Sequence, residues 1–291
     1  EIKNFDFNKP EMSEHLWMYE GVTEYFANLF QVNQGLIDEA AFYERMAGKI
    51  AQSRQMNDNM SFTKMSKNVL NPPYKEQYLN VYQKGALIAM CMDIIIRENS
   101  NGKKGILNLM QELSKEYGTT KAFKDEELFG KITALTYPAV GEFLNKHVAG
   151  ETPIPYEQYF AKMGVSETTI EVAGNPFLKG QTQPYITVDP NTKEIMILPE
   201  IELNSFMTTL GLKNNDKILA INETAYNLDN IYDMIMASMN WKDGEAITVK
   251  IKRDGKEQTV KGKIVMPKEK QDGYQSTDDT KKTIREAWLR G

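Results

Sequence analysis

Apolar side chains recur on almost every face of a helical wheel drawn from Leu16 to Phe30: Leu16, Trp17, Met18, Tyr19, Val22, Tyr25, Phe26, Leu29 and Phe30. A helix that is apolar all round has to be enclosed by other elements. Ser13 stands where an N-cap is needed, Glu14 falls in the first turn and Gly35 follows the last periodic residue as a stop, so the pattern predicts a buried helix over Ser13 to Asn33. A second helix is predicted from about Ile37 to Gln55, then a polar loop around Asn57 to Ser66 and a break at Pro72-Pro73. The stretch from Tyr78 to Arg97 is apolar and free of proline, and it ends at Asn99-Ser100-Asn101-Gly102, which again suits an enclosed helix. Shorter helices are predicted at about Gly105 to Tyr117, Asp125 to Thr136, Ala139 to Val148 and Tyr156 to Met163.

Past Gly164 the periodicity changes. Short alternating or β-branched runs follow, Tyr185 to Val188, Glu194 to Leu198, Lys217 to Ile221, Ala246 to Arg253 and Gln258 to Val265, with turn signals at Asp189-Pro190-Asn191 and Asp254-Gly255. One helix, Leu228 to Met239, interrupts the strands, and Thr280 to Leu289 reads as an amphipathic tail with Ile284, Trp288 and Leu289 on one side. The expectation is an α+β, multidomain chain: a mostly helical lobe over 1–165, a small β domain over 166–270 and a tail helix within 271–291. A chain of 291 residues is long enough for two such domains, each with its own core.

Composition narrows the class. The chain is 41% hydrophobic and 26% charged, and its apolar runs read as too short for a bilayer span. A net charge of −5 without clustered Lys and Arg argues against nucleic acid and leaves a polypeptide or small molecule as the expected partner. Cys91 is the only cysteine and lies in the apolar stretch Ala86 to Ile96, where a small buried hydrophobe is the usual role. The opening Glu1-Ile2-Lys3-Asn4-Phe5-Asp6 has neither an initiator Met nor an apolar core segment, so the chain is expected to begin inside a longer precursor.

Chemistry enters with Glu20 and Glu24, two carboxylates one turn apart in the otherwise apolar first helix. A buried ionised carboxylate needs a cation, a metal or strong donors, and periodicity alone leaves a basic partner or polar crevice open beside a metal. Leu16-Trp17-Met18-Tyr19-Glu20-Gly21-Val22-Thr23-Glu24-Tyr25 resembles the Glu-Gly-x-Thr-x-Tyr helix of the glycyl aminopeptidase family, a branch of the thermolysin-like (gluzincin) zinc metallopeptidases. The likeness extends through Gln52-Ser53, the block Tyr78 to Leu87, Asp93 and Arg97, and into the β region and the Trp288-Leu289 tail.

That resemblance implies a zinc-dependent aminopeptidase hydrolysing N-terminal residues of a peptide or protein substrate, with a preference for small residues such as Gly. Glu20 would be the third protein ligand of a two-His, one-Glu zinc site, and Glu24 would orient a ligand histidine. Tyr82-Gln83-Lys84-Gly85-Ala86 resembles the family's Tyr-x-Lys-Gly-Ala motif, which makes Tyr82 the implied catalytic donor to the oxyanion. A phenol suits this because it donates while neutral. The H-E-x-x-H helix that would supply two ligands and the general base is absent from this sequence: His15 and His147 are the only histidines, and His15 reads as a first-turn surface or capping residue. Zinc is therefore expected as a cofactor of a longer protein and not of this chain alone, which is expected to be inactive.

In the β half, Leu210-Gly211-Leu212 through Asp216 to Ile221-Asn222 resembles a PDZ signature, with Glu223 where Gly is usual, and implies a PDZ-like β-barrel domain whose groove takes peptides. The receiving edge would be Tyr185 to Val188, preceded by the loop Asn175 to Gly180. The rival to the enzyme is a non-catalytic peptide-binding protein that uses this groove and keeps the helical lobe as a scaffold. A periplasmic or cell-envelope setting of bacterial type is what the family's habits imply, with the cytoplasm as the alternative.

Overall fold

The computed structural model describes residues 6, 8–118, 121–180 and 183–291. The chain divides into two compact units, Glu1–Thr168 together with Asp272–Gly291, and Thr169–Gln271.

The first unit is helical. A π-helical turn, Trp17–Gly21, runs directly into α1 (Val22–Asn33). Ser13 does not cap this helix. The Leu16 amide donates instead to Ser66 Oγ at 3.0 Å, while Ser13 Oγ donates to Asp125 Oδ1 at 2.7 Å, so two residues far away in sequence hold the entry. Gly35 ends the turn after α1 with φ of +70°, a region open to glycine at no steric cost. α2 (Glu39–Arg54) starts on Asp38, whose carboxylate accepts from the Ala41 amide at 2.8 Å. The polar loop expected near Asn57 to Ser66 contains a helix, α3 (Phe62–Lys67), capped by Ser61 and anchored by buried Phe62 and Met65. Its apolar content is too brief to register as a period.

α4 (Asn80–Asn99) is the axis of the unit: every residue from Lys84 to Arg97 is buried. This corrects the expectation on membrane spans, since the helix over 75–99 is long and apolar enough to cross a bilayer, yet 83% of its most apolar window is buried inside the protein. Around it pack α5 (Ile106–Glu116), α6 (Asp125–Leu135), α7 (Pro138–Phe143) with the π-helical turn Leu144–Ala149, and α8 (Tyr156–Lys162). The tail helix α11 (Lys282–Arg290) belongs to this core: Trp288 is fully buried, edge-on to Phe42 and stacked on Tyr43.

β1 (Val165–Ala173) pairs with β10 (Lys268–Ser276). Neither strand is legible as one, because β1 alternates burial without alternating hydrophobicity and β10 is polar along most of its length.

The second unit holds the short pair β2 (Leu178–Lys179) and β3 (Gln183–Pro184), and a larger sheet of β4 (Ile186–Val188), β5 (Ile195–Ile197), β6 (Lys217–Ile221), β7 (Thr224–Ala225), β8 (Ala246–Arg253) and β9 (Lys256–Lys263). Its order is β4-β5-β6-β8-β9 with β7 on β6, all antiparallel. The expected closed barrel is not formed: β4 and β9 are the two ends of an open sheet. Closure needs long tilted strands that meet, whereas β4 has three residues and β9 carries Lys256, Lys261 and Lys263, the kind of charge that guards an edge. α9 (Ser205–Thr209) and α10 (Ile231–Ser238) complete the unit, and Phe177, Phe206, Met207, Met234 and the inward residues of β5, β6 and β8 form its core.

Candidate active site

Two glycines bring the candidate residues together. A Cβ built on Gly21 would lie 2.3 Å from the Gly85 carbonyl carbon, and one built on Gly85 would lie 2.9 Å from Gly21 Cα. Those separations are out of reach for any side chain, so the π-helical turn and α4 cross backbone against backbone. Glu20 precedes one glycine and Lys84 the other, and the crossing carries Glu20 and Tyr82 to the same place. Helical turns of the wider π type often mark functional positions, and here that turn contains Glu20.

The Tyr82 ring packs against Tyr78, and its phenol lies near enough to Glu20 to feel the carboxylate's charge. The neighbouring Tyr78 phenol, partial burial and the negative charge of Glu20 push the Tyr82 phenol up to about 12, so its proton is firmly held at neutral pH and available for donation. The two tyrosine rings meet edge to face with centroids 6.0 Å apart. Tyr78 is 43% exposed and contributes little to the core. Its proximity to Tyr82 follows from the four-residue spacing at the start of α4, a signal present in the sequence and unremarkable until Tyr82 is located.

Glu24 points elsewhere. Its carboxylate takes a 2.6 Å ion pair from Lys49 on α2, whose ammonium also reaches Gln83 Oε1 at 3.4 Å. Glu24 thus has the basic partner that periodicity left open. Nothing in the sequence singles out Lys49, because the pairing depends on how α2 lies across α1 and α4. Lys84 is 2% exposed and bonds Asp58 Oδ1 at 2.9 Å, which ties the segment between α2 and α3 to α4 two residues after Tyr82. On the same two helices, Tyr25 donates to Asp93 Oδ2 at 2.8 Å and receives the Trp288 indole N–H at 2.8 Å. Asp93 Oδ1 also accepts the Ile106 amide at 2.8 Å, so α1, α4 and α5 share one buried carboxylate and α11 joins them through Tyr25. Burial pushes the Asp93 carboxyl up, opposed by the nearby Arg97 guanidinium.

The histidines are committed to structure. His15 is buried, not at the surface: its Nε2 bonds the Asp125 carbonyl at 2.9 Å and its Nδ1 accepts from Trp17 Nε1 at 3.3 Å. The pair of bonds fixes the tautomer with the proton on Nε2. His147 is also buried and donates from Nδ1 to the Thr152 carbonyl at 2.9 Å. Cys91 is fully buried, and burial pushes its thiol up, as befits a core residue.

Among the described residues no three His, Cys, Asp or Glu side chains converge as a metal site. With both histidines engaged and Glu24 held by Lys49, the residues present do not by themselves fit zinc. The arrangement supplies one partly exposed carboxylate, Glu20, beside one protonated phenol, Tyr82.

Comparison with known proteins gives three findings. Residues 1–88 match the family profile of the M61 glycyl aminopeptidases, a span that contains both glycines, Glu20, Glu24, Tyr78 and Tyr82. No curated protein matches the chain. Among solved structures, the chain shares its fold with an aminopeptidase N family protein from Idiomarina loihiensis, at 20% identity and a TM-score of 0.56, over 99% of this chain and 51% of that one. The chain therefore spans about half the length of that relative.

Proposed function

We propose that this chain is the C-terminal portion of a zinc-dependent aminopeptidase of the M61 type, in which Tyr82 donates to the oxygen of the scissile carbonyl as it gains charge and Glu20 is one ligand of a metal centre completed from outside these residues. The observation that carries this reading is the meeting of Glu20 and Tyr82 at the Gly21–Gly85 crossing, inside the segment that matches the family profile. A neutral phenol whose proton is retained to about pH 12 is suited to donate to a developing oxyanion without itself carrying charge. Glu24, held by Lys49, keeps a role in orienting neighbouring groups through that ion pair.

The test is made on the complete protein that contains this chain. Its upstream sequence is expected to carry H-E-x-x-H, and it is expected to release N-terminal Gly or Ala from peptides. Glu20→Ala should abolish that activity, and Tyr82→Phe should lower kcat about a hundredfold or more, the loss seen when one oxyanion donor is removed. The 291-residue chain alone should take up zinc weakly in a direct titration and hydrolyse nothing. Absence of the upstream motif, or full activity of Tyr82→Phe, would remove the reading.

A second reading concerns Thr169–Gln271, which is read as PDZ-like from its order of strands and helix. β4 is a sheet edge without charged residues, and α10 and the turn before it leave Leu228, Tyr232 and Met236 exposed. An edge of this kind accepts an added strand. Pulldown with C-terminal peptides by residues 166–270 tests it, and no enrichment would count against peptide binding.

A further inference from the structure

We propose that Tyr25 is a positioning residue for Glu20, and that the tail helix α11 belongs to the frame of the site. The Trp288 indole holds the Tyr25 hydroxyl on the Asp93 carboxylate, and this chain of bonds fixes the angle at which the Glu20 helix crosses α4. The inference rests on the peptidase reading for its kinetic consequence only.

The Gly21–Gly85 contact is one backbone crossing, and one crossing is a pivot. A second joint is needed to set its angle. Tyr25 lies about one turn past Gly21 and Asp93 about two turns past Gly85, and the Tyr25 hydroxyl donates to Asp93 Oδ2 at 2.8 Å. Each partner is itself held. Trp288 Nε1 donates to the Tyr25 oxygen at 2.8 Å, and its ring stands edge-on to Phe42 with centroids 5.6 Å apart. Asp93 Oδ1 accepts the Ile106 amide at 2.8 Å and faces Arg97 Nε at 3.5 Å. Tyr25, Asp93 and Trp288 are all buried. Apolar residues of similar volume would fill this space with no loss of stability, because burial costs polar groups most of what their bonds return. What the bonds add is direction. The other side-chain bridge between these helices is looser: Lys49 pairs with Glu24 at 2.6 Å but reaches Gln83 at only 3.4 Å, and the Glu24 side chain is 36% exposed.

Tyr82 lies across the pivot from that joint. At the helical rise of about 1.5 Å per residue, Asp93 stands about 12 Å along α4 on one side of Gly85 and Tyr82 about 4.5 Å on the other. A slip of about 1 Å at Asp93 therefore becomes about 0.4 Å at Tyr82, where a full ångström of misplacement can cost about a hundredfold in rate. Loss of the Tyr25 hydroxyl should lower kcat about fivefold to tenfold, while KM for a Gly-peptide stays unchanged because the three buried side chains do not meet the substrate.

The experiment has two arms. In the complete protein, Tyr25→Phe is expected to lower kcat by that factor and Trp288→Phe to lower it less. The double variant should be no slower than Tyr25→Phe, since Trp288 acts through Tyr25. Ile132→Ala, a core loss in α6 outside this chain of bonds, separates positioning from stability: assayed below its thermal transition it should keep full kcat. A fully active Tyr25→Phe, losses that multiply, or an equal loss in Ile132→Ala would overturn the proposal. The second arm needs no activity. In the 291-residue chain labelled with 3-fluorotyrosine, the fluorine resonance that disappears in Tyr82→Phe identifies Tyr82. Glu20→Gln should displace that resonance, and in the Tyr25→Phe background the displacement should shrink by about half or more. The same displacement in both backgrounds, or none in either, overturns the positioning of Glu20 whatever the kinetics. If Tyr82→Phe is fully active while the displacement shrinks, the catalytic role of Tyr82 is what fails and the positioning by Tyr25 stands.

Discussion

Gly21 and Gly85 touch through their backbones, with a Cβ on the first only 2.3 Å from the carbonyl carbon of the second. Each glycine sits in one of the two motifs that suggested chemistry, Glu20-Gly21 and Lys84-Gly85, and the contact explains why each motif needs a residue without a side chain. The glycines set the approach of the π-helical turn to α4, and the residues beside them inherit the geometry. Lys84–Asp58 and Tyr25–Asp93–Trp288 then fix the same helices at other points.

Gly85→Ala should therefore destabilise the chain although alanine favours a helix by up to about 1 kcal/mol over glycine. The added methyl meets main chain, which yields less readily than a side chain, and overpacking of this kind costs about 1–3 kcal/mol. We expect a net loss of about 1–2 kcal/mol in urea denaturation. Gly48→Ala is the internal comparison: Gly48 lies within α2 with nothing near its missing Cβ, and alanine there should add about 0.5–1 kcal/mol. Equal responses at the two sites would show that the crossing is not tight.

Tyr82 should titrate near pH 12, as seen by the phenolate absorbance lost in Tyr82→Phe. Its folded value is raised above the ordinary value near 10. As pH rises from about 10 to about 12 the unfolded chain gives up this proton first, so the contribution of Tyr82 to stability is present below that window and lost across it. Glu20→Gln removes the neighbouring charge and should move the titration downward. An unmoved midpoint would mean that Glu20 and Tyr82 do not share the crevice.

Some of this was legible in the sequence. α1 and α4 declare themselves because they are apolar on all faces, and β8 and β9 because β8 alternates and the Asp254-Gly255 turn joins them. Glu20 and Tyr82 stand out by motif, and the structure brings them together. What could not be read is what depends on distant partners. His15 has the spacing of a first-turn residue, yet Asp125 and Trp17 bury it. Lys49 meets Glu24 only because α2 lies across α1. β1 and β10 satisfy each other's backbones with polar sequences that carry no apolar period, and α3 is too short to have one.

In the second unit, Arg253→Met should cost about 3–5 kcal/mol, the penalty for leaving a buried charge without its partner. Asp216 is 1% exposed and takes two parallel bonds from Arg253, Nε to Oδ1 at 2.7 Å and the terminal nitrogen to Oδ2 at 2.6 Å. The same carboxylate accepts the Lys213 amide at 2.8 Å, so it also shapes the turn into β6. Arg253→Lys should recover little, because an ammonium cannot make the paired bonds. Amide exchange would localise the loss: protection should fall across β6 and β8, and unchanged protection there would refute the assignment.

Glu223→Gly should stabilise the same unit. The turn between β6 and β7 places Asn222 at φ 45° and Glu223 at φ 71°, two consecutive residues in the left-handed region. Asn222 tolerates this and is tied to β8 by its side-chain oxygen, which accepts the Thr248 amide at 2.9 Å. Glu223 has no such compensation among its described contacts, its side chain is exposed, and a residue with a Cβ loses about 1–2 kcal/mol in this conformation. The comparable turn between β8 and β9 already has glycine, with Asp254 at φ 49° and Gly255 at φ 75°. Glycine also gains freedom in the unfolded chain, which offsets part of the relief, so the expected gain is about 0.5–1 kcal/mol in urea denaturation. Glu223→Ala separates backbone from charge: it removes the same carboxylate but keeps the Cβ, and should leave stability unchanged. A gain with alanine equal to that with glycine would show that the charge, and not the left-handed backbone, is what this position holds against the fold.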